Sequence, residues 1–254
     1  MTRTATQAAV SRDRRIFAGL LAIAILAWGW SIAAARGDAM TGMSGMRSAP
    51  AALDLAAFLV GWVAMMAAMM FPALVPVVRF FALAAGRGLA VPVSVFIAGY
   101  LAVWSSAGIP GWLASRELRE PLTAGTTGGA WVAAATLLAA AAYQLTPLKT
   151  ACLRHCRSPI GFFAHHGRAI GRPAGAFRLG LIHGAYCLGC CWAFMAVLVA
   201  FGTMHLAWMA VLAAIILLEK TMPGGNAIGR TAAAVFAMLA MWLLVHPSAI
   251  TNLT

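Results

Sequence analysis

Three thiols stand in a C-x-x-C-C arrangement at Cys187, Cys190 and Cys191, with His183 four residues earlier. On a helix turning about 100° per residue, with Cys187 at 0°, His183 falls near −40°, Cys190 near −60° and Cys191 near +40°. All four therefore share one face. Buried cysteine also packs as a small hydrophobe, but this spacing suits ligands for a soft metal, or redox chemistry. A second group, Met65, Met66, Met69 and Met70, precedes Pro72 and Pro76 and fills one arc roughly 140° wide. Thioether sulfur is soft and uncharged, so these side chains serve either as apolar filling or as Cu(I) ligands inside a membrane.

A third constellation, Cys152, His155 and Cys156, lies between Pro147 and Pro159 and is flanked by Lys149, Arg154 and Arg157. Here a Cu(I) site, a reactive thiol pair, an anion-binding loop and a headgroup anchor all fit. The fourth is Met40, Met43 and Met46 in a Gly-rich stretch. It is similar to the outer methionine runs of high-affinity copper importers, and equally to a solvated linker.

The elements that must hold these groups are apolar. Of 254 residues, 63% are hydrophobic and 9% charged, against roughly a quarter charged in soluble domains. The fold class is an all-α polytopic membrane protein without a large extramembrane domain. Apolar runs of about 20 residues predict seven spans, at 16–35, 53–78, 91–113, 130–147, 179–201, 206–221 and 228–245. The count becomes six if the fifth and sixth fuse across Gly202–His205. Pro72 and Pro76 predict a kink or break in the second span. The first span ends at Ala33-Ala34-Ala35 and resembles a signal peptide, but its length favours an uncleaved anchor.

The net charge of +12 is a topology signal. With the N-terminus inside, only Arg36, Arg47, Arg116 and Arg119 fall outside; every other Lys and Arg faces the cytoplasm. No basic run interleaved with aromatics suggests a nucleic-acid partner. The predicted order is a cytoplasmic tail at 1–15, one membrane domain at 16–246 and a C-terminal tail at 247–254. The cytoplasmic loop 149–178 is expected to be irregular after an initial helical turn. Glu219 is expected to pair with Lys220 or Arg230. All five cysteines map to the cytoplasmic side or the inner half of the membrane, where thiols stay reduced, so a disulfide framework is not expected.

Met65–Pro76, Tyr143–Lys149 with Cys152–Pro159, Cys187–Met195, and Glu219-Lys220 together resemble a bacterial family known as predicted metal-binding integral membrane proteins, of unknown function. The resemblance runs from about the second span to the seventh. It implies a polytopic fold in the bacterial inner membrane and a metal site, leaving substrate and mechanism open.

The resulting expectation is that the methionine arc and the Cys187 cluster, with His183, face each other and bind a soft metal. Cu(I) is favoured, with Zn²⁺ second because thioethers suit it poorly. The expected partners are the lipid bilayer and the metal ion. Two functions fit. In the first, Met40–Met46 collects copper, the membrane clusters relay it, and Cys152, His155 and Cys156 release it inside. In the second, the protein is a membrane oxidoreductase or assembly factor. The sequence contains no recognisable P-loop, phosphorylatable Asp motif or haem-ligand pair.

Overall fold

A computed structural model describes residues 2–41, 51–84, 93–123, 127–166, 172–202 and 205–252. Among these residues the chain is all-α, with nine α-helices. They are α1 (Thr2–Thr41), α2 (Ala51–Ala84), α3 (Val93–Thr123), α4 (Thr127–Gln144), α5 (Pro147–Arg157), α6 (Pro159–His166), α7 (Pro173–Phe201), α8 (Leu206–Thr221) and α9 (Gly225–Val245), followed by a 3₁₀ turn at Pro247–Asn252.

Two helices, α2 and α7, form the interior. α2 packs on α1, α3 and α8, while α7 packs on α3, α4 and α5. α9 covers α4. The outer helices carry exposed apolar side chains such as Leu26, Trp30, Trp131, Met238 and Trp242, a surface that water does not favour and hydrocarbon does.

Five helices are long and apolar enough to cross a membrane. α4 and α5 qualify together as a sixth span, bent by 66°. The bend follows from the sequence. Pro147 cannot continue α4, and Thr146 caps α5 by accepting from the Lys149 backbone N–H at 3.2 Å. α8 covers the predicted range 206–221, but its 16 residues reach only about 24 Å. It therefore does not count as a span by length.

Helix α2 runs unbroken through Pro72 and Pro76, so the predicted break does not occur. Each proline removes one backbone donor, and the surrounding turns carry the helix through. The alternative fusion across Gly202–His205 does not occur, and α7 and α8 are separate helices as the seven-run reading had them. Gly202, at φ +100°, ends α7 in a conformation that favours glycine. His205 then caps α8, its Nδ1 accepting from the Trp208 N–H at 3.5 Å. The expected irregular loop 149–178 is instead largely helical, holding α5, α6 and the start of α7. Gly-rich composition suggested a loop, but the apolar faces of α5 and α6 find partners on α7 and α2.

Helices α3 and α7 approach each other backbone to backbone. A Cβ on Gly180 would lie 2.1 Å from the Phe96 carbonyl oxygen, and one on Gly99 would lie 2.2 Å from that of Phe177. Only glycine permits backbones to meet at this distance. This contact sets the register that brings Tyr100 of α3 to Cys187 of α7.

Candidate metal centre

α7 divides its faces as the 100° arithmetic predicts. His183, Cys187, Cys190 and Cys191 are buried, while Trp192 on the other side is 43% exposed. The three Sγ atoms lie within 4.8 Å of one another. Cys190 Sγ is 3.3 Å from Cys191 Sγ and donates to the Cys187 carbonyl at 3.2 Å.

A fourth thiol arrives from α5. Lys149, Leu153 and Cys156 form the buried face of that helix, and Cys156 Sγ lies 3.7 Å from Cys190 Sγ. Its neighbours in the sequence motif do not follow it. Cys152 packs against the backbone of Gly189, its Sγ 2.7 Å from where a Cβ would stand. His155 stacks on Tyr186 with ring centroids 4.1 Å apart, and its Nδ1 is 2.9 Å from the Ala151 carbonyl. The 66° bend turns only one edge of α5 toward the cluster, which separates Cys156 from the other two.

His183 sits above the thiols among Phe96, Tyr100 and Phe162, with centroids 6.1, 6.0 and 5.2 Å away. Its Nδ1 is buried without a hydrogen-bond partner. A buried polar nitrogen in that state costs about 1–3 kcal/mol, so its retention points to a ligand. With Met70, Tyr100, Cys156, Cys187 and Lys220 it lines a space too small for water.

All four methionines of the α2 arc are buried. Of these, Met70 lines the space shared with Cys187 and His183. Met66 lies one turn away on the same face, and the arc as a whole fills α2's contacts with its neighbours. Side chains in the Met40–Met46 run lie outside those described.

Two groups that the motifs did not reveal complete the site. Tyr100 Oη is 3.1 Å from Cys187 Sγ. Lys220 Nζ donates to Cys187 Sγ at 3.0 Å and lies 3.9 Å from Met70 Sδ. The signals available for them were a lone tyrosine in an apolar run and a lysine ending an apolar helix.

Glu219 pairs with Lys149, not with Lys220 or Arg230. Lys149 Nζ is 2.6 Å from Glu219 Oε1, donates to Gln144 Oε1, and lies 4.7 Å from the centre of the Phe194 ring. The ion pair ties α4, α5 and α8 together at the level of the thiols. Lys220 is left facing the sulfur atoms instead.

Clustered thiols, a free imidazole nitrogen and a thioether in an apolar interior make a donor set that could hold a soft metal, so fold and site define an all-helical protein with a candidate soft-metal centre. The PpoB2 model, described as a copper chaperone, matches residues 59–243. The chain belongs to that family. The matched segment contains α3 to α8, every residue of the centre, nearly all of α9, and α2 from residue 59 onward. No curated protein and no solved structure matches the chain.

Proposed function

We propose that this chain is a membrane-embedded copper chaperone. It holds Cu(I) as cargo at Cys156, Cys187, Cys190 and Cys191, with His183 and Met70 at the edge of the site. The observation that carries this reading is the convergence of four thiols from two helices beneath an unpaired imidazole. Zn²⁺ would find thiolates and His183 here, but not a use for Met70.

Charge balance favours a monovalent ion. Cu(I) held by two thiolates carries a net charge of −1, and the Lys220 ammonium against Cys187 brings the site to zero. An uncompensated charge in such an interior costs several kcal/mol. More thiols than a linear Cu(I) needs permit transfer by ligand exchange, in which an incoming sulfur bonds before an outgoing one leaves.

The distribution of Lys and Arg favours an orientation in a bacterial inner membrane with the N-terminus, the α4–α5 bend, the start of α7 and the α8–α9 turn on the cytoplasmic side. Cargo would then be held near the cytoplasmic boundary.

Metal analysis of the purified full chain under reducing conditions tests the reading. The expected result is close to one copper per chain, removed by a strong Cu(I) chelator and not replaced by zinc. A copper-free protein with Cys156 and Cys190 joined in a disulfide would overturn it in favour of an oxidoreductase. A second expectation concerns Met70→Leu. It keeps apolar character and approximate volume, so stability should change by less than about 1.5 kcal/mol. Cu(I) affinity measured by chelator competition should fall about tenfold, which is roughly 1.4 kcal/mol. Equal affinities would make Met70 packing only.

A further inference from the structure

Beside the copper centre, α4, α5, α8 and α9 enclose a second cavity of about 130 Å³, lined by Gln144, Lys149, Glu219, Gly225, Asn226 and Arg230 among others. A water occupies about 30 Å³ in the liquid, so the space holds roughly four waters or one small oxyanion. We propose that it is a binding site for a phosphate group. Nothing in the copper reading requires it.

Two independent features point to an anion with several acceptor oxygens. Gln144 is 6% exposed. Its Oε1 accepts from Lys149, while its Nε2 has no partner. This buried donor needs an acceptor. Next is the charge. Lys149 and Glu219 cancel each other at 2.6 Å, and Arg230 forms no ion pair among the described residues. Arg157 spends its guanidinium on the carbonyls of Met222 and Pro223 at the rim. The Arg230 guanidinium thus remains uncompensated in the wall of a polar hollow.

Gly225, Asn226 and Gly229 at the start of α9 also line the cavity. The Glu219 carboxylate stands close to Gly229, and its charge is taken up by Lys149. Ammonium, guanidinium and amide approach from different elements, which suits a tetrahedral phosphate better than a planar carboxylate. At the mouth Asn226 and Arg230 are exposed beside apolar Leu145, itself 65% exposed. A phosphate could enter there free, or as the headgroup of an anionic lipid whose chains lie along the outer surface.

The test uses the full chain in detergent, free of copper, with thermal unfolding as the readout. One arm adds inorganic phosphate against chloride at equal ionic strength. The other compares vesicles of phosphatidylglycerol with vesicles of phosphatidylcholine. Stabilisation by phosphate alone identifies a free oxyanion site, stabilisation by phosphatidylglycerol alone a headgroup site, and both support the proposal. Arg230→Gln, at an exposed position, should still fold, should weaken the response at least tenfold, and should leave Cu(I) affinity at the wild-type value. Gln144→Met should weaken the response similarly. No response in either arm, or an undiminished response in Arg230→Gln, overturns the proposal.

Discussion

Replacing Cys187 and Cys190 together by serine is expected to lower Cu(I) affinity by more than a hundredfold, about 2.7 kcal/mol, while the protein still folds. Serine keeps nearly the volume of cysteine and can retain the bond that Cys190 makes to the Cys187 carbonyl, so packing changes little. Soft-ligand chemistry is lost, because a hydroxyl is a poor Cu(I) ligand. Only Cys156 and Cys191 would remain of the four thiols. Chelator competition measures the affinity, and thermal unfolding of the copper-free variant checks that the fold survives. Full copper stoichiometry at wild-type affinity would place the metal elsewhere.

Gly180→Val is expected to disrupt the site without touching a ligand. Its Cβ would stand 2.1 Å from a backbone oxygen of α3, and no side-chain rotation can relieve that. The helices must part, which puts the cost at the upper end of the overpacking range, about 3 kcal/mol. Because α3 carries Tyr100 and α7 carries Cys187, their 3.1 Å contact is lost with it, and copper affinity drops as well. Gly184→Ala is the milder companion, its Cβ meeting the Tyr100 carbonyl and Val103 at 3.1 Å. Unfolding midpoints should fall in the order wild type, Gly184→Ala, Gly180→Val. Wild-type stability in Gly180→Val would remove the close contact from the account.

What was legible beforehand was what one helix decides by itself. His183, Cys187, Cys190 and Cys191 share a buried face because their spacing dictates it, and the structure adds only distances. The same arithmetic could have found Gly180 and Gly184, a small-x-x-x-small pair of the kind that lets helices touch. Cys156 could not be separated from Cys152 and His155, because that choice depends on how far the chain turns between Gln144 and Pro147. Tyr100 and Lys220 were hidden for a related reason: each comes from a helix whose register against α7 is fixed by packing. Lys149 and Glu219 lie 70 residues apart, and a nearer cation seemed the natural partner until α5 folded over α8.

Two sets of helices in this bundle miss the thickness of a bilayer in opposite directions. α2, α3 and α7 have 34, 31 and 29 residues and reach about 51, 46 and 44 Å, whereas α8 reaches about 24 Å. A bilayer with a hydrocarbon core about 30 Å thick is outrun by the first set and too thick for the second. In the proposed membrane setting, lipid along the flank where α8 shows Val211 and Leu218 would have to thin by about 6 Å to match it, at a fraction of a kcal/mol per Å. Headgroups on that flank would then be drawn toward the Lys220 end of α8. Cys187 is the midpoint of its own helix, yet the Lys220 ammonium reaches it at 3.0 Å. On the proposed function, a short helix would thus bring the polar boundary toward the bound ion.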